Sequence, residues 1–365
     1  MVDRTPVSIV TGFLGSGKTT LIASLLRQPD MAGTAVVVNE FGEVGIDDAI
    51  IAEVVGREEV LLLSNGCLCC TAGDDLTETL LDLTTGRKGR SAPRRILIET
   101  TGLADPVPML HRLMADPRLR DAIRLDAIVA TVDAINGAAN LDSQPVAARQ
   151  SAVADRRVIT KSDLVGASQV MELTNRLRGL NPGADIRIVV HGQIAADQLF
   201  GASLYDPKQG KADVDRWLGL EGHRTAGHDH TSQDEEPAHG QSVRTWLIEE
   251  ARPVDWTALS DRLRDIVDRH GDVLLRLKGV VWTTDDPRPL VIHGVQRLYH
   301  RPVRIEQWPG RPRTSIVLIG SEGALAARRL IAEALADAAS AKRGSPLPES
   351  ALAMAETSKF GGIDR

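Results

Sequence analysis

A glycine-rich segment near the start of the chain, Gly12 to Thr19, has the spacing G-x-x-x-x-G-K-T. It follows the apolar run Val7 to Val10 and precedes a helical pattern, and this strand, loop and helix context is the one in which the spacing binds phosphate. The glycines let backbone N–H groups turn inward around a β-phosphate, the lysine can reach β- and γ-oxygens, and the threonine hydroxyl can bind Mg²⁺. The residues of the predicted phosphate site are Gly12, Gly15, Ser16, Gly17, Lys18, Thr19 and Thr20.

All three cysteines of the chain lie within Cys67-Leu68-Cys69-Cys70. Three thiols this close cannot pair into a disulfide framework, and the polar start Met1 to Arg4 lacks the apolar core of a signal peptide. We therefore expect a reducing, cytoplasmic compartment, in which such a cluster serves metal ligation or redox chemistry. A dithiol motif needs only two cysteines, so the third favours metal. Thiolates suit zinc, with cobalt, nickel and Cu(I) as alternatives.

The composition predicts a globular protein of two domains. Hydrophobic residues make up 42% of the 365 residues and aromatic residues only 3%, so the core must be aliphatic. The formal net charge of −6 supplies no basic field, and we expect no nucleic-acid partner. No apolar run approaches the ~18 residues needed to span a bilayer, and we expect no membrane association.

In the predicted first domain, residues 1–200, β-branched runs alternate with helical patterns. This βαβ rhythm predicts an α/β fold with a doubly wound, mostly parallel sheet, whose nucleotide site lies at the carboxyl ends of the strands. The predicted strands are Val7–Thr11, Ala35–Asn39, Val60–Leu63, Arg95–Glu99, Ala127–Val132, Val158–Thr160 and Ile186–His191. The predicted helices are Lys18–Arg27, Leu76–Thr84, Pro108–Ala115 and Ser168–Arg178.

A polar stretch at residues 201–240 separates this domain from a second one. Its histidines lie among Gly, Asp, Glu and Ser and form either a labile metal reservoir or part of a solvated linker. Residues 241–343 predict a smaller α+β domain, and residues 344–365 predict a loose tail. The elements predicted for the second domain are the strands Ser242–Glu249, Leu274–Trp282, Leu290–Tyr299 and Ser315–Ile319 and the helices Trp256–Arg269 and Ala324–Ala339.

The segment Glu99-Thr100-Thr101-Gly102 ends one of the apolar strands. In this place the carboxylate of Glu99 can organise Mg²⁺ directly or through water, and the N–H of Gly102 can sense a γ-phosphate. Four residues alone are a weak motif. They indicate a nucleotide site here because an apolar strand comes directly before them and a phosphate loop comes earlier in the chain.

The segment Thr160-Lys161-Ser162-Asp163 follows another apolar strand and approximates the N-K-x-D signature of guanine recognition. The carboxylate of Asp163 can accept from the N1–H and 2-amino groups of guanine, and the stem of Lys161 can cover the base. Threonine at the first position removes an amide that normally braces this loop. The alternative is an ordinary strand-to-helix turn in which Asp163 caps the helix.

Motifs across most of the chain match one family pattern, and they are Thr11 to Thr20, Asn39 to Asp47, Gly66 to Cys70, Glu99 to Pro106, Gln150, Ala154 with Asp155, Leu275 to Gly279 and Gly294 to Tyr299. Together they resemble the CobW-like metal-chaperone GTPases, relatives of the GTPases that insert nickel into hydrogenase and urease. The resemblance implies a P-loop NTPase fold with a CobW C-terminal-type domain. It also implies GTP hydrolysis coupled to zinc handling in most members, and cobalt in those serving cobalamin synthesis or nitrile hydratase.

The two predicted sites are expected to influence each other. Cys67, Cys69 and Cys70 follow a central strand and should lie near residues 40–48, which a γ-phosphate would order. Three thiolates leave one tetrahedral position for Glu43, a histidine or water. If GTP and metal favour the same arrangement, hydrolysis loosens the metal for transfer to a client metalloprotein, whose identity the sequence does not reveal.

The sequence therefore predicts a GTPase metallochaperone that uses GTP, Mg²⁺ and Zn²⁺, or Co²⁺ in place of zinc. The alternatives are a cobalt-delivering activator, an ATP-using P-loop kinase or synthetase with a structural zinc, and a metal sensor regulated by GTP. The sequence leaves a homodimer open. Asp47 contacts Mg²⁺ or water in this hypothesis, or is a solvated loop acid. The predicted catalytic residues are Lys18, Thr19, Glu99, Gly102 and Asp47, with Mg²⁺ at Thr19 and Glu99.

Overall fold

The computed structural model describes residues 4–38, 60–62, 73–86, 91–201, 218, 220, 243–299, 302–306, 308, 311–321 and 323–340. Within this part, residues 4–201 and the residues from 245 to 340 belong to two separate units, and each is described by itself. The cysteine cluster Cys67 to Cys70, Glu43, Asp47 and the tail 344–365 lie outside the described residues, as does nearly all of the stretch 201–240.

Seven strands form the sheet of the N-terminal unit, and they are Thr5–Gly12 (β1), Thr34–Val38 (β2), Val60–Leu62 (β3), Arg95–Glu99 (β4), Ile123–Asp133 (β5), Arg156–Thr160 (β6) and Asp185–Ile188 (β7). Their order across the sheet is β3-β2-β4-β1-β5-β6-β7, and the neighbouring strands pair in parallel. The central strands β1, β2 and β4 are almost wholly buried, as parallel strands covered on both faces must be. The predicted doubly wound parallel sheet is confirmed.

Helices connect these strands, and those with described bounds are Lys18–Leu26 (α1), Gly73–Thr85 (α2), Pro106–Ala115 (α3), Gly137–Ser143 (α4), Pro145–Val153 (α5) and Ala167–Leu180 (α6). The sequence predicted α1, α2, α3 and α6 and missed α4 and α5. Half of the buried residues of α5 are alanine and two are polar, so the helix has no wide apolar stripe that a periodic pattern would reveal. Helix α3 begins at Pro106, two residues before the prediction, because Asp105 accepts a hydrogen bond from the Val107 amide and caps the helix.

The C-terminal unit is an antiparallel sheet with two helices, and its elements are Val243–Glu250 (β8), Trp256–His270 (α7), Leu274–Val281 (β9), Leu290–Val295 (β10), Leu298–Tyr299 (β11), Val303–Arg304 (β12), Thr314–Ser321 (β13) and Ala324–Ser340 (α8). The strand order is β11-β10-β9-β13-β8, with β12 paired to β10. One apolar core joins the sheet to α7 and α8, with Leu263, Ile316 and Ile331 fully buried. The predicted α+β domain is confirmed.

Several predicted strands differ from the structure in extent, and β5 begins at Ile123, four residues before the prediction. Two of the differences have a local cause in the backbone. Strand β7 ends at Ile188 rather than His191, because His191 and Gly192 adopt positive φ angles of 51° and 71° and turn the chain. The strand predicted as Leu290–Tyr299 is a hairpin of β10 and β11, because Gln296 has a φ of 51° and opens a tight turn. Among the described helices, none is long and apolar enough to cross a membrane.

Candidate functional site

The predicted phosphate loop lies between β1 and α1, and its glycines adopt backbone conformations that other residues rarely take. Gly12, Gly15 and Gly17 have φ angles of 140°, 69° and 89°. A Cβ on Gly12 would lie 2.3 Å from Oγ1 of Thr131, so this glycine allows the loop to pack against β5. A Cβ on Gly15 would meet no atom within 4 Å, so here the backbone borders open space.

Lys18 begins α1 and is 9% exposed. Its Nζ donates hydrogen bonds to the carbonyl oxygens of Gly12 and Phe13, at 3.1 and 3.4 Å. The first amides of the helix have no acceptors within it, and the helix dipole adds positive potential at this end. A buried ammonium beside a helix N-terminus is an arrangement that binds the oxygens of a polyphosphate.

Thr19 and Glu99 come together at the carboxyl ends of two neighbouring strands. Strands β1 and β4 pair in parallel, with Val10 opposite Glu99. The hydroxyl of Thr19 donates to Oε1 of Glu99 at 2.9 Å, and Glu99 is 6% exposed. A hydroxyl and a carboxylate are oxygen ligands of the kind that Mg²⁺ prefers, so these two residues fit the predicted magnesium site.

The segment after β4 packs directly on the phosphate loop. A Cβ on Gly102 would lie 2.7 Å from both N and Cα of Leu14, a distance that side chains cannot occupy. The hydroxyl of Thr100 donates to the hydroxyl of Thr11 at 2.9 Å and joins the same two segments. The backbone of Gly102 can therefore approach whatever the phosphate loop holds.

The loop after β6 carries the predicted guanine-reading residues. Lys161 has a φ of 54°, and Ser162–Leu164 form a single 3₁₀ turn in which Asp163 is exposed. The hydroxyl of Thr160 donates to the carbonyl oxygen of Ser16 at 2.7 Å. Thr160 lacks the amide that normally braces this loop, but its hydroxyl joins this loop to the phosphate loop.

A cleft of about 240 Å³ unites most of the predicted nucleotide residues. Gly12 and Ser16 contact Thr131 beneath the phosphate loop, and Asp163 lies two residues beyond the lining residue Lys161. Among the described residues there is no cluster of three or more His, Cys, Asp or Glu side chains that could hold a metal. The predicted site residues that line the cleft are Gly15, Gly17, Lys18, Thr19, Thr20, Glu99, Gly102 and Lys161.

Polar side chains at the end of β5 support the loops and were not predicted from the sequence. The hydroxyls of Thr131 and Ser16 are 2.6 Å apart. Asp133, 2% exposed, accepts hydrogen bonds from the amides of Ile135 and Asn136 at 3.2 and 2.8 Å. The sequence signal that could have identified them is the position of Thr131 and Asp133 at the carboxyl end of an apolar strand, where ligand sites of parallel sheets lie.

Two protein-family models match the chain in succession. The model "CobW/HypB/UreG, nucleotide-binding domain" matches residues 6–187, and the model "Cobalamin synthesis protein cobW C-terminal domain" matches residues 243–339.

Several relatives of known name or structure align with this chain. The zinc chaperone YjiA of Escherichia coli (strain K12) is 31% identical over 315 residues, which are 86% of this chain and 93% of that protein. The zinc-regulated GTPase metalloprotein activator 1 of Schizosaccharomyces pombe is 34% identical over 198 residues, 53% of this chain and 47% of that protein. The crystal structure of Zn(II)-bound YjiA GTPase from E. coli matches with a TM-score of 0.58 at 26% identity, covering 92% of this chain and 99% of that chain. The resemblance inferred from the motifs is confirmed, and the chain belongs to the CobW/HypB/UreG family of P-loop GTPases.

Proposed function

We propose that this protein is a GTP-hydrolysing metallochaperone that carries zinc as its cargo and releases it to a client metalloprotein after hydrolysis. The observation that carries the proposal is the composition of the cleft. Lys18, the pair Thr19 and Glu99, and Gly102 border the same space as Lys161 of the guanine-reading loop. Residues suited to bind phosphate, a cation and a base therefore border one cleft.

The nucleotide chemistry follows from the residues at the base of the cleft. Lys18 neutralises β- and γ-phosphate charge, and the Gly102 amide donates a hydrogen bond to a γ-oxygen. Thr19 and Glu99 would hold Mg²⁺, which would supply positive charge to offset the negative charge that develops in hydrolysis. Asp47, outside the described residues, is proposed to contact the same cation or the attacking water.

The cargo site is proposed from the sequence and from the relatives' names. Cys67, Cys69 and Cys70 supply three thiolates to zinc, and Glu43 supplies the fourth ligand. Two of the relatives reported above are named for zinc. Thiolates must stay reduced to bind metal, so we place this cycle in the cytoplasm.

Guanine recognition separates this proposal from an ATP-using enzyme and is testable with Asp163→Ala. Asp163 is exposed, so its removal leaves the fold intact, while two charge-assisted hydrogen bonds to guanine are lost. We expect the Kd for GTP to rise about thirtyfold or more, since about 2 kcal/mol corresponds to that ratio. Titration of fluorescent GTP and ATP analogues measures both affinities.

The matched control is Asp121→Ala, which removes another exposed aspartate of the N-terminal unit and should change neither affinity by more than twofold. ATP binding by Asp163→Ala should also stay within twofold of its original value. Equal weakening of GTP and ATP by Asp163→Ala contradicts the guanine assignment, and wild-type protein that prefers ATP supports a kinase or synthetase instead.

A further inference from the structure

Gln150 of α5 contacts the segment that follows β4, although it plays no part in the function proposed above. Its Nε2 donates hydrogen bonds to the carbonyl oxygens of Gly102 and Ala104, at 3.2 and 2.9 Å. The residue is 1% exposed. Because both partners are acceptors, only the NH₂ end of the amide can face them, and the orientation of the side chain is thereby determined.

The adjacent residue makes a second, weaker attachment. Arg149 Nη1 lies 3.0 Å from Oδ2 of Asp105, whose other oxygen caps α3. The two side chains are 40% and 25% exposed, so water screens this pair and its contribution to stability is small. The hydrogen bonds of Gln150, one buried and one partly buried, are therefore the stronger of these two attachments between α5 and the segment after β4.

Helix α5 also lies directly behind the phosphate loop. Gln150, Phe13 and Ser16 border one small pocket of about 10 Å³. The segment that Gln150 holds is the one whose Gly102 packs on Leu14. A shift of this segment would move the Gly102 amide relative to the phosphates, and a misplacement of about 1 Å has large effects on catalysis.

We infer that Gln150 is a positioning residue, which holds the Gly102 segment in the arrangement that receives the γ-phosphate before GTP arrives. This inference rests on the proposed GTPase function. It predicts that Gln150 matters to a triphosphate and not to a diphosphate, because GDP has no γ-phosphate for Gly102 to contact. A residue that only stabilised the fold would affect both nucleotides alike.

The test is Gln150→Met, which keeps the length of the side chain and removes its donor. We expect the Kd of a non-hydrolysable GTP analogue to rise about tenfold and the Kd of GDP to stay within twofold, as measured by calorimetry. The matched control is Arg149→Ala, which should change both affinities less than twofold because its ion pair is partly exposed. Equal losses for GDP and the analogue, or no loss for either, overturn the inference.

A measurement on the unaltered protein covers the case in which Gln150→Met fails to fold. The Ala104 amide donates to the Thr101 carbonyl oxygen at 3.1 Å, so a segment held in place protects it from hydrogen exchange in the GDP-bound protein. Exchange at the rate of an open loop overturns the inference. Failure of the wild-type protein to bind the GTP analogue at all is a different result and refutes the proposed function itself.

Discussion

The hydroxyl of Thr160 connects the loops on either side of the cleft. It donates to the Ser16 carbonyl oxygen at 2.7 Å, while the Thr160 carbonyl oxygen accepts from the Ala134 amide at 2.9 Å. Thr160 is 6% exposed, so both hydrogen bonds are shielded from water. The position of the phosphate loop therefore depends on the residue that opens the proposed guanine-reading loop.

We predict that Thr160→Val weakens the binding of GTP and GDP about equally, by roughly fivefold to tenfold. The variant keeps the shape of the side chain but leaves a buried carbonyl oxygen without this donor, which costs about 1 kcal/mol or more. Thr160→Ser keeps the hydroxyl and should stay within about twofold of wild type. Nucleotide titrations of both variants measure the effect, and wild-type affinity in Thr160→Val disproves the connection.

For single residues, the sequence predicted the members of local motifs. It did not predict the hydrogen bonds that these residues make with residues far away in the sequence. Gly12 to Thr19 is one uninterrupted segment, so its spacing alone specifies a phosphate loop. The partners Ser16 and Thr131 are 115 positions apart, and Gln150 and Gly102 are 48 apart. Such contacts exist only after the sheet has brought the strands together, and no local pattern encodes them.

At the scale of elements, a buried arginine joins β6 to the end of α6. Arg157 is fully buried and donates to the carbonyl oxygens of Leu177, Asn181 and Ala184, the latter two at 2.6 and 2.9 Å. Burial lowers the pKa of its guanidinium to about 9, which reflects the cost of removing a cation from water. The carbonyl oxygens and the helix dipole offset that cost and hold β6, whose end leads into Lys161 and the proposed guanine-reading loop.

We predict that Arg157→Met lowers the free energy of unfolding by about 3 kcal/mol, because three carbonyl oxygens at a helix end lose their donor. Urea unfolding followed by circular dichroism measures this change. The control is Arg178→Met, at an exposed position of α6, the helix that Arg157 contacts from β6. This change should alter stability by no more than about 0.5 kcal/mol. Identical transition midpoints for the two variants contradict a special role for Arg157.

The elements that could be predicted from the sequence are those whose pattern matches their burial. The β-branched residues of Thr34–Val38 and Arg95–Glu99 are typical of strands buried on both faces, and both strands were predicted to within one residue. Helix α5 was missed because alanine and buried Gln150 do not produce an apolar stripe. The break between β10 and β11 was missed because glutamine, unlike glycine or asparagine, does not indicate a positive φ, which Gln296 nevertheless adopts.

At the scale of the whole molecule, chain length limits how far the proposed zinc ligands can lie from the cleft. Val38 ends β2 and lines the cleft, and it pairs with Leu62 at the end of β3. Glu43 follows Val38 by five residues, and Cys67 follows Leu62 by five residues. Five residues span at most about 18 Å, which limits how far Glu43 and Cys67, two of the four proposed zinc ligands, can lie from these strand ends. Coupling between zinc and nucleotide therefore requires no long pathway.

Reciprocal binding provides the most direct test of this coupling. If zinc and a γ-phosphate favour the same arrangement, each must tighten the other by the same factor, and about 1.4 kcal/mol of coupling corresponds to a tenfold change in affinity. Zinc titrations by calorimetry should be run on the nucleotide-free protein and on protein loaded with GDP or with a non-hydrolysable GTP analogue, with Cys69→Ser as the variant that disables the cargo site. We predict that zinc binds about tenfold more tightly to the analogue-loaded form than to the GDP form, and that Cys69→Ser abolishes this difference. Identical zinc affinity in all three wild-type forms would contradict a nucleotide-gated metallochaperone.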